Sequence, residues 1–308
     1  MQPSSFAVWF GISRTVFLMC GAGIVVCIVA LWASRADFAR ARGLDKVVAL
    51  SNLCFAVPLA VFGALHLADV QSVLPAVPAY MPWKLFWAYL VGVALIAAAL
   101  SIATKIQVRW SGLLFGVMLF LFAAMSDVPG ALANPGDRFG WTFVLRELAF
   151  ASGGFLIAAS TMDGNRRDGE WGKWLVVVGR VVLGIAAVFY GVEHFLHPLA
   201  CPGVPLEKLM PEWIPGRLLI GYLTGVILVA CGALIPWGNK ARMAATILGG
   251  WIVLLVVAVY GPILVAALRD PSIAVEIEGI NYFADTLLFG GAILALAGAT
   301  ERRVAGNS

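Results

Sequence analysis

Residues 191–228 read GVEHFLHPLACPGVPLEKLMPEWIPGRLLIGYLTGVIL. An apolar helix end carries Glu193, His194 and His197. A Pro-rich loop follows, with Pro198, Pro202, Pro205, Pro211 and Pro215, and then a new apolar helix begins. The first half of the chain holds a counterpart. Pro82-x-Lys84-Leu85 and Tyr89-Leu90-x-Gly92-Val93 match Pro215-x-Arg217-Leu218 and Tyr222-Leu223-x-Gly225-Val226 at a constant offset of 133. His66 precedes the first loop as His194 precedes the second, and the later loop is about five residues longer. The chain is therefore a tandem duplication.

Composition fixes the solvent of that duplication. The chain is 61% hydrophobic and 12% charged, with mean hydropathy +0.93. Apolar runs of about 20 residues recur, each long enough to cross the hydrocarbon core as a helix. Backbone groups in lipid must be satisfied internally, which favours helices, and the alternation of a membrane barrel is absent. A net charge of +4 is no nucleic-acid footprint, because most of the cations sit in short loops. Cys20, Cys27, Cys54 and Cys231 lie in apolar runs as small packing residues, and Cys201 is alone in the Pro-rich loop. No CxxC or Cys–His spacing points to a metal.

Nine spans are expected, at 6–32, 47–69, 83–104, 110–126, 141–162, 174–197, 217–237, 243–268 and 280–300. Residues 1–46 supply an extra helix and a basic loop (34–46). Residues 47–162 form a first four-helix repeat, 163–173 a charged linker, and 174–308 a second repeat with the C-terminal tail. Further pairs extend the duplication: Arg109 with Arg242, Gly116 with Gly249 and Pro129 with Pro262 at 133, and Gly153-Gly154 with Gly290-Gly291 at 137. The fold class is thus an all-α polytopic membrane protein, 1 + 4 + 4. An even number of helices per repeat makes the copies parallel, about an axis along the membrane normal.

Lys and Arg set the orientation. Thirteen lie in 34–46, 105–109, 163–173, 238–242 and the tail, against five on the other side (Lys84, Arg138, Lys208, Arg217, Arg269). The positive-inside rule then places the tail in the cytoplasm and the N-terminus and Pro-rich loops outside a cell (inner) membrane. Arg14 is expected to snorkel.

Arg180-x3-Gly184, Gly191-x2-His194-Phe195, the Pro-rich loop, Gly221-Tyr222-x2-Gly225 and the basic turn Lys240-x-Arg242 resemble the DoxX-like family of small four-helix membrane proteins. The resemblance covers about 55–160 and 177–300 and is better in the second copy. The first copy has Asn52 where the second has Arg180, and Ala64 where it has Val192. Some members are subunits of thiosulfate:quinone oxidoreductase or terminal quinol oxidase systems. The resemblance therefore implies a quinone-linked role beside redox partner subunits, although the family does not fix one reaction.

All three His (His66, His194, His197) fall at the outward end of the first helix of a repeat. If His66 and His194 face one seam at one depth, they could hydrogen-bond a quinone carbonyl or ligate a b-type haem. The plainer alternative is that each anchors a helix end on a loop carbonyl. Asp69 lies three residues after His66 on the same helical side. Glu193 precedes His194, and Asp127 follows the fourth span. Glu147 and Asp285 sit early in the fifth and ninth spans. Carboxylates in lipid pair or line polar cavities. Arg146 neighbours Glu147, but successive helical residues point about 100° apart, so pairing is not required. The glycine pairs fit close helix packing, and Trp residues near span ends fit an interfacial belt. No phosphate loop, nucleophile elbow or zinc signature is present. Two classes of function stay open: a quinone-binding redox subunit, or a non-redox small-molecule carrier or assembly partner.

Overall fold

The computed structural model describes residues 13–162, 169–238 and 240–300. The first residues of the first span, linker residues 163–168, and the tail with Arg302 and Arg303 lie outside the described residues. Among the described residues there are nine helices long and apolar enough to cross a membrane, and no strand. The chain is an all-α multi-pass membrane protein.

We number the spans α1 (Arg14–Arg40), α2 (Ser51–Ala68), α3 (Lys84–Thr104), α4 (Val108–Phe122, continued to Ala133), α5 (Arg138–Ser160), α6 (Glu170–Leu196), α7 (Arg217–Leu234), α8 (Ala241–Leu255, continued to Ala267) and α9 (Ile273–Ala299). Helix α1 starts where the Ser13 hydroxyl accepts from the Val16 N–H. It runs through half of the expected basic loop, because no breaker occurs before Gly43, which takes φ +54°. Likewise α9 begins at Ile273 rather than 280. Pro271 lies just ahead of its Ser272 N-cap, and Glu276 in the first turn complements the helix dipole.

The expectation that α4 ends at 126 is corrected. A π turn, Ala123–Asp127, carries the helix through Pro129, and a second, Val256–Tyr260, carries α8 through Pro262. Proline lacks the N–H that would bond residue i−4. The wider turn absorbs that loss, and the freed Met125 carbonyl accepts from the Tyr80 hydroxyl at 3.3 Å. The π turns repeat at the same 133-residue offset as the prolines.

The repeats interlock. Helix α2 packs on α3 and α6 on α7, while α5 pairs with α4 and α9 with α8. Helix α1 packs on α2, and the remaining large contacts join opposite halves: α2 with α9, α6 with α5, and α5 with α9. Two rows result, α3–α2–α9–α8 and α7–α6–α5–α4, exchanged by a pseudo-two-fold axis between α5 and α9. Neither repeat is a self-contained bundle.

Small residues allow these crossings. A Cβ at Gly63 would lie 3.0 Å from the Gly92 carbonyl oxygen, and one at Gly191 would lie 2.9 Å from that of Gly225. A Cβ at Gly291 would lie 2.8 Å from the Phe55 nitrogen. Helix α1 docks Val16 and Met19 on Val61, Leu65, Ile280 and Ala284. Arg242 caps α9 through the Ala297 and Thr300 carbonyls, at 2.6 and 3.0 Å. The side chains of Trp83, Trp171 and Trp237, near span ends, remain exposed, as an interfacial belt requires.

Candidate functional site

Helix α6 ends at Leu196, and the chain then turns back into the bundle. Cys201 N–H bonds the Lys208 carbonyl at 2.9 Å, and Met210 N–H bonds that of Leu199 at 2.8 Å. This narrow hairpin buries every residue from 200 to 206. The second Pro-rich loop is therefore a plug, not a surface loop. Its sequence allows this: no charge occurs between His197 and Glu207.

Four helices hold the plug by its backbone. Gly203 N–H donates to His194 Nε2 at 2.9 Å, and the Tyr260 hydroxyl donates to the Pro202 carbonyl at 2.8 Å. Arg138 Nη1 donates to the Pro205 carbonyl at 3.1 Å, and Lys208 N–H donates to the Tyr282 hydroxyl at 3.1 Å. Gly203 has φ +113°, a conformation L side chains rarely adopt, and a Cβ there would press on Thr286. Arg138 also pairs with Glu193 at 3.0 Å, and His197 stands 3.8 Å from the same carboxylate.

His194 is fully buried. Its Nε2 accepts a hydrogen bond, so its Nδ1 carries the proton. Among the described residues that Nδ1–H has no partner. Beside it, Tyr190 stacks edge-on with Phe289 at 5.5 Å and donates to the Thr142 carbonyl at 3.2 Å. On the pseudo-two-fold axis Arg146 bonds Glu147 at 2.9 Å and Asp285 at 3.2 Å. The Arg146–Glu147 pair that helical geometry left open is formed: the long guanidinium reaches the neighbouring carboxylate and crosses to α9 as well.

The predicted residues thus divide into three places. Glu193, His194 and His197 gather at the plug. Glu147 and Asp285 meet across Arg146. His66 is apart from both, and its Nδ1 donates to the Phe62 carbonyl of its own helix at 2.8 Å. A shared seam for His66 and His194 is not formed, because each faces the second helix of its own repeat, over Gly92 and Gly225. Asp69 caps the end of α2, outside both clusters. Arg138, Arg146, Tyr190, Tyr260 and Tyr282 complete the site; sequence reasoning weighed Arg146 only as a neighbour of Glu147 and missed the other four. Two signals were available: arginines within or at the edge of apolar spans, and the pairing of Asp127 with Tyr260 at offset 133. No group of three or more His, Cys, Asp or Glu among the described residues could hold a metal ion.

Cys201 reports on the plug. Burial, with Glu278 adding to it and Lys208 opposing, pushes its thiol up to about 12. The thiolate is the nucleophile, so Cys201 is expected to resist a membrane-impermeant maleimide at pH 8. The rate should rise with pH toward that value. Mass spectrometry of a variant in which the other four Cys are Ala checks this, and rapid labelling at pH 7 would contradict a seated plug.

No family model, curated protein or solved structure matches this chain. The DoxX-like resemblance therefore rests on the motifs alone.

Proposed function

We propose that this chain is a redox-associated membrane subunit that binds a quinone beside the plug, near the outer face of the cell membrane. The observation that carries this reading is the bare Nδ1–H of His194. A buried donor without an acceptor costs about 1–3 kcal/mol, and a quinone carbonyl is an apolar molecule's acceptor of the right kind. Tyr190 and Phe289 supply aromatic faces. His197 and the Glu193–Arg138 pair stand between that donor and the outer edge, where protons accompanying quinone reduction would pass. The orientation follows the positive-inside count, with the N-terminus outside and the tail cytoplasmic. Partner subunits would supply or remove electrons.

The protein purified in mild detergent is extracted with organic solvent, and decylubiquinone is titrated into it. A co-purifying quinone is expected, with binding at least about tenfold weaker in His194→Ala. Oxidised and dithionite-reduced spectra should lack a Soret band, since His66 and His194 do not converge. Unchanged binding in a His66/His194 double substitution would sink the proposal. The buried plug favours a second reading, a non-redox carrier with 200–206 as its outer gate. Transport of a solute without any bound quinone would select it.

A further inference from the structure

We propose that the first repeat holds a second, outward-facing site for a small amine bearing a further hydrogen-bond donor. It lies at the place that the second repeat fills with its own residues 200–206. The inference stands on the internal symmetry and is independent of the quinone reading.

In the second repeat the plug tip is gripped at two corners. One is His194, on Gly203, and the other is Tyr260 of the π turn, on Pro202. The first repeat has the same frame. Its α2–α3 crossing at Gly63 and Gly92 reproduces the α6–α7 crossing at Gly191 and Gly225. A Cβ at Gly92 would meet the His66 Cβ, as one at Gly225 would meet the His194 Cβ. The π turns Ala123–Asp127 and Val256–Tyr260 coincide at offset 133. His66 and Asp127 therefore stand at the two corners held by His194 and Tyr260.

Among the described residues the first repeat buries no loop at the equivalent place. Of residues 70–83 only Val70 is buried, whereas every residue from 200 to 206 is. Tyr80 of this shorter loop instead rests over the π turn, on the Met125 carbonyl. His66 uses Nδ1 on Phe62 and leaves Nε2 as an acceptor. The Asp127 carboxylate makes no hydrogen bond or ion pair within the described residues. An unpaired carboxylate within a span is costly and marks a functional position.

The chemistry of the corners selects the ligand. Tyr260 donates to the plug, but Asp127 can only accept when ionised, and so can His66 Nε2. Arg146 and Glu147 are the charged neighbours of Asp127. With Asp285 the group holds three carboxylates and one guanidinium. A cation offsets that excess. An ammonium on Asp127 and a hydroxyl on His66 Nε2 satisfy both corners. Free ethanolamine is the smallest molecule of this class.

The test is calorimetric titration of ethanolamine into the full chain, in nanodiscs of phosphatidylcholine and phosphatidylglycerol. Saturable binding is expected, about tenfold weaker or lost in Asp127→Asn, weaker in His66→Gln, and unchanged in Glu212→Gln. Asp127→Tyr, which installs the second repeat's residue, should also abolish it, and guards against a folding defect in Asp127→Asn. Discs that include phosphatidylethanolamine, whose ethanolamine oxygen is esterified to phosphate, test the hydroxyl contact. An unchanged Kd is expected there, and a raised apparent Kd would overturn the assignment of a hydroxyl to His66 Nε2. No saturable binding, equal binding of ethylene glycol, or wild-type binding in both Asp127 variants would overturn the proposal.

Discussion

Arg146→Met is expected to cost about 3–5 kcal/mol, because it leaves buried Glu147 and Asp285 facing each other without their cation. The three side chains are 14–19% exposed, so solvent screens them little. They join α5 to α9 on the axis where both rows meet, and loss of the pair should loosen the whole bundle rather than one end. Unfolding in mixed micelles with rising dodecyl sulfate, followed by Trp fluorescence, measures the change. The triple variant Arg146→Met, Glu147→Gln, Asp285→Asn should recover most of the loss, since neutral groups do not require the guanidinium. A single variant as stable as the parent would mean that the carboxylates find compensation elsewhere.

Gly221→Ala should unseat the plug. Its new Cβ would run into the Pro198 carbonyl at the root of the hairpin, a backbone atom with little room to yield. Overpacking of this kind costs about 1–3 kcal/mol, and here the strain falls on one loop. Maleimide labelling of Cys201 should accelerate on the order of tenfold or more as the loop opens locally, while the dodecyl sulfate midpoint of the bundle moves little. Equal labelling rates in variant and parent would show that the loop accommodates the methyl group without opening.

The sequence made the spans visible because twenty-residue apolar runs have few alternatives in a membrane, and the duplication was visible as constant offsets. The plug was not. Pro-rich loops are ordinarily solvated, and the five prolines outweighed the uncharged run Leu199-Ala-Cys-Pro-Gly-Val-Pro-Leu206. The π turns were hidden because Pro129 read as lying beyond a helix end, although apolar residues continue past it, and because a span drawn through Pro262 does not reveal how its backbone accommodates the proline. His66 and His194 occupy equivalent positions, yet equivalence about a two-fold axis separates residues as readily as it joins them. Arg146 was judged by helical angle alone, and the reach of its side chain decided the pairing. The interlocking of the halves depends on which helix faces which, and hydropathy is silent on that.

The two rows, each drawn from both halves, have a consequence for how the chain is made. Arg146 enters the bilayer 139 residues before Asp285. Until α9 arrives, α5 offers lipid a half-paired guanidinium and the Gly153 surface that later receives Ala292. A nascent chain stopped after α5 is thus an unfinished subunit. A twin could finish it, because α9 of the second half and α5 of the first are equivalent helices. The duplication that produced this chain would then have turned the contact surface of a two-subunit ancestor into the interior of one polypeptide. Once the halves were covalently joined, each was free to change its own loop, and only one of them closed its mouth.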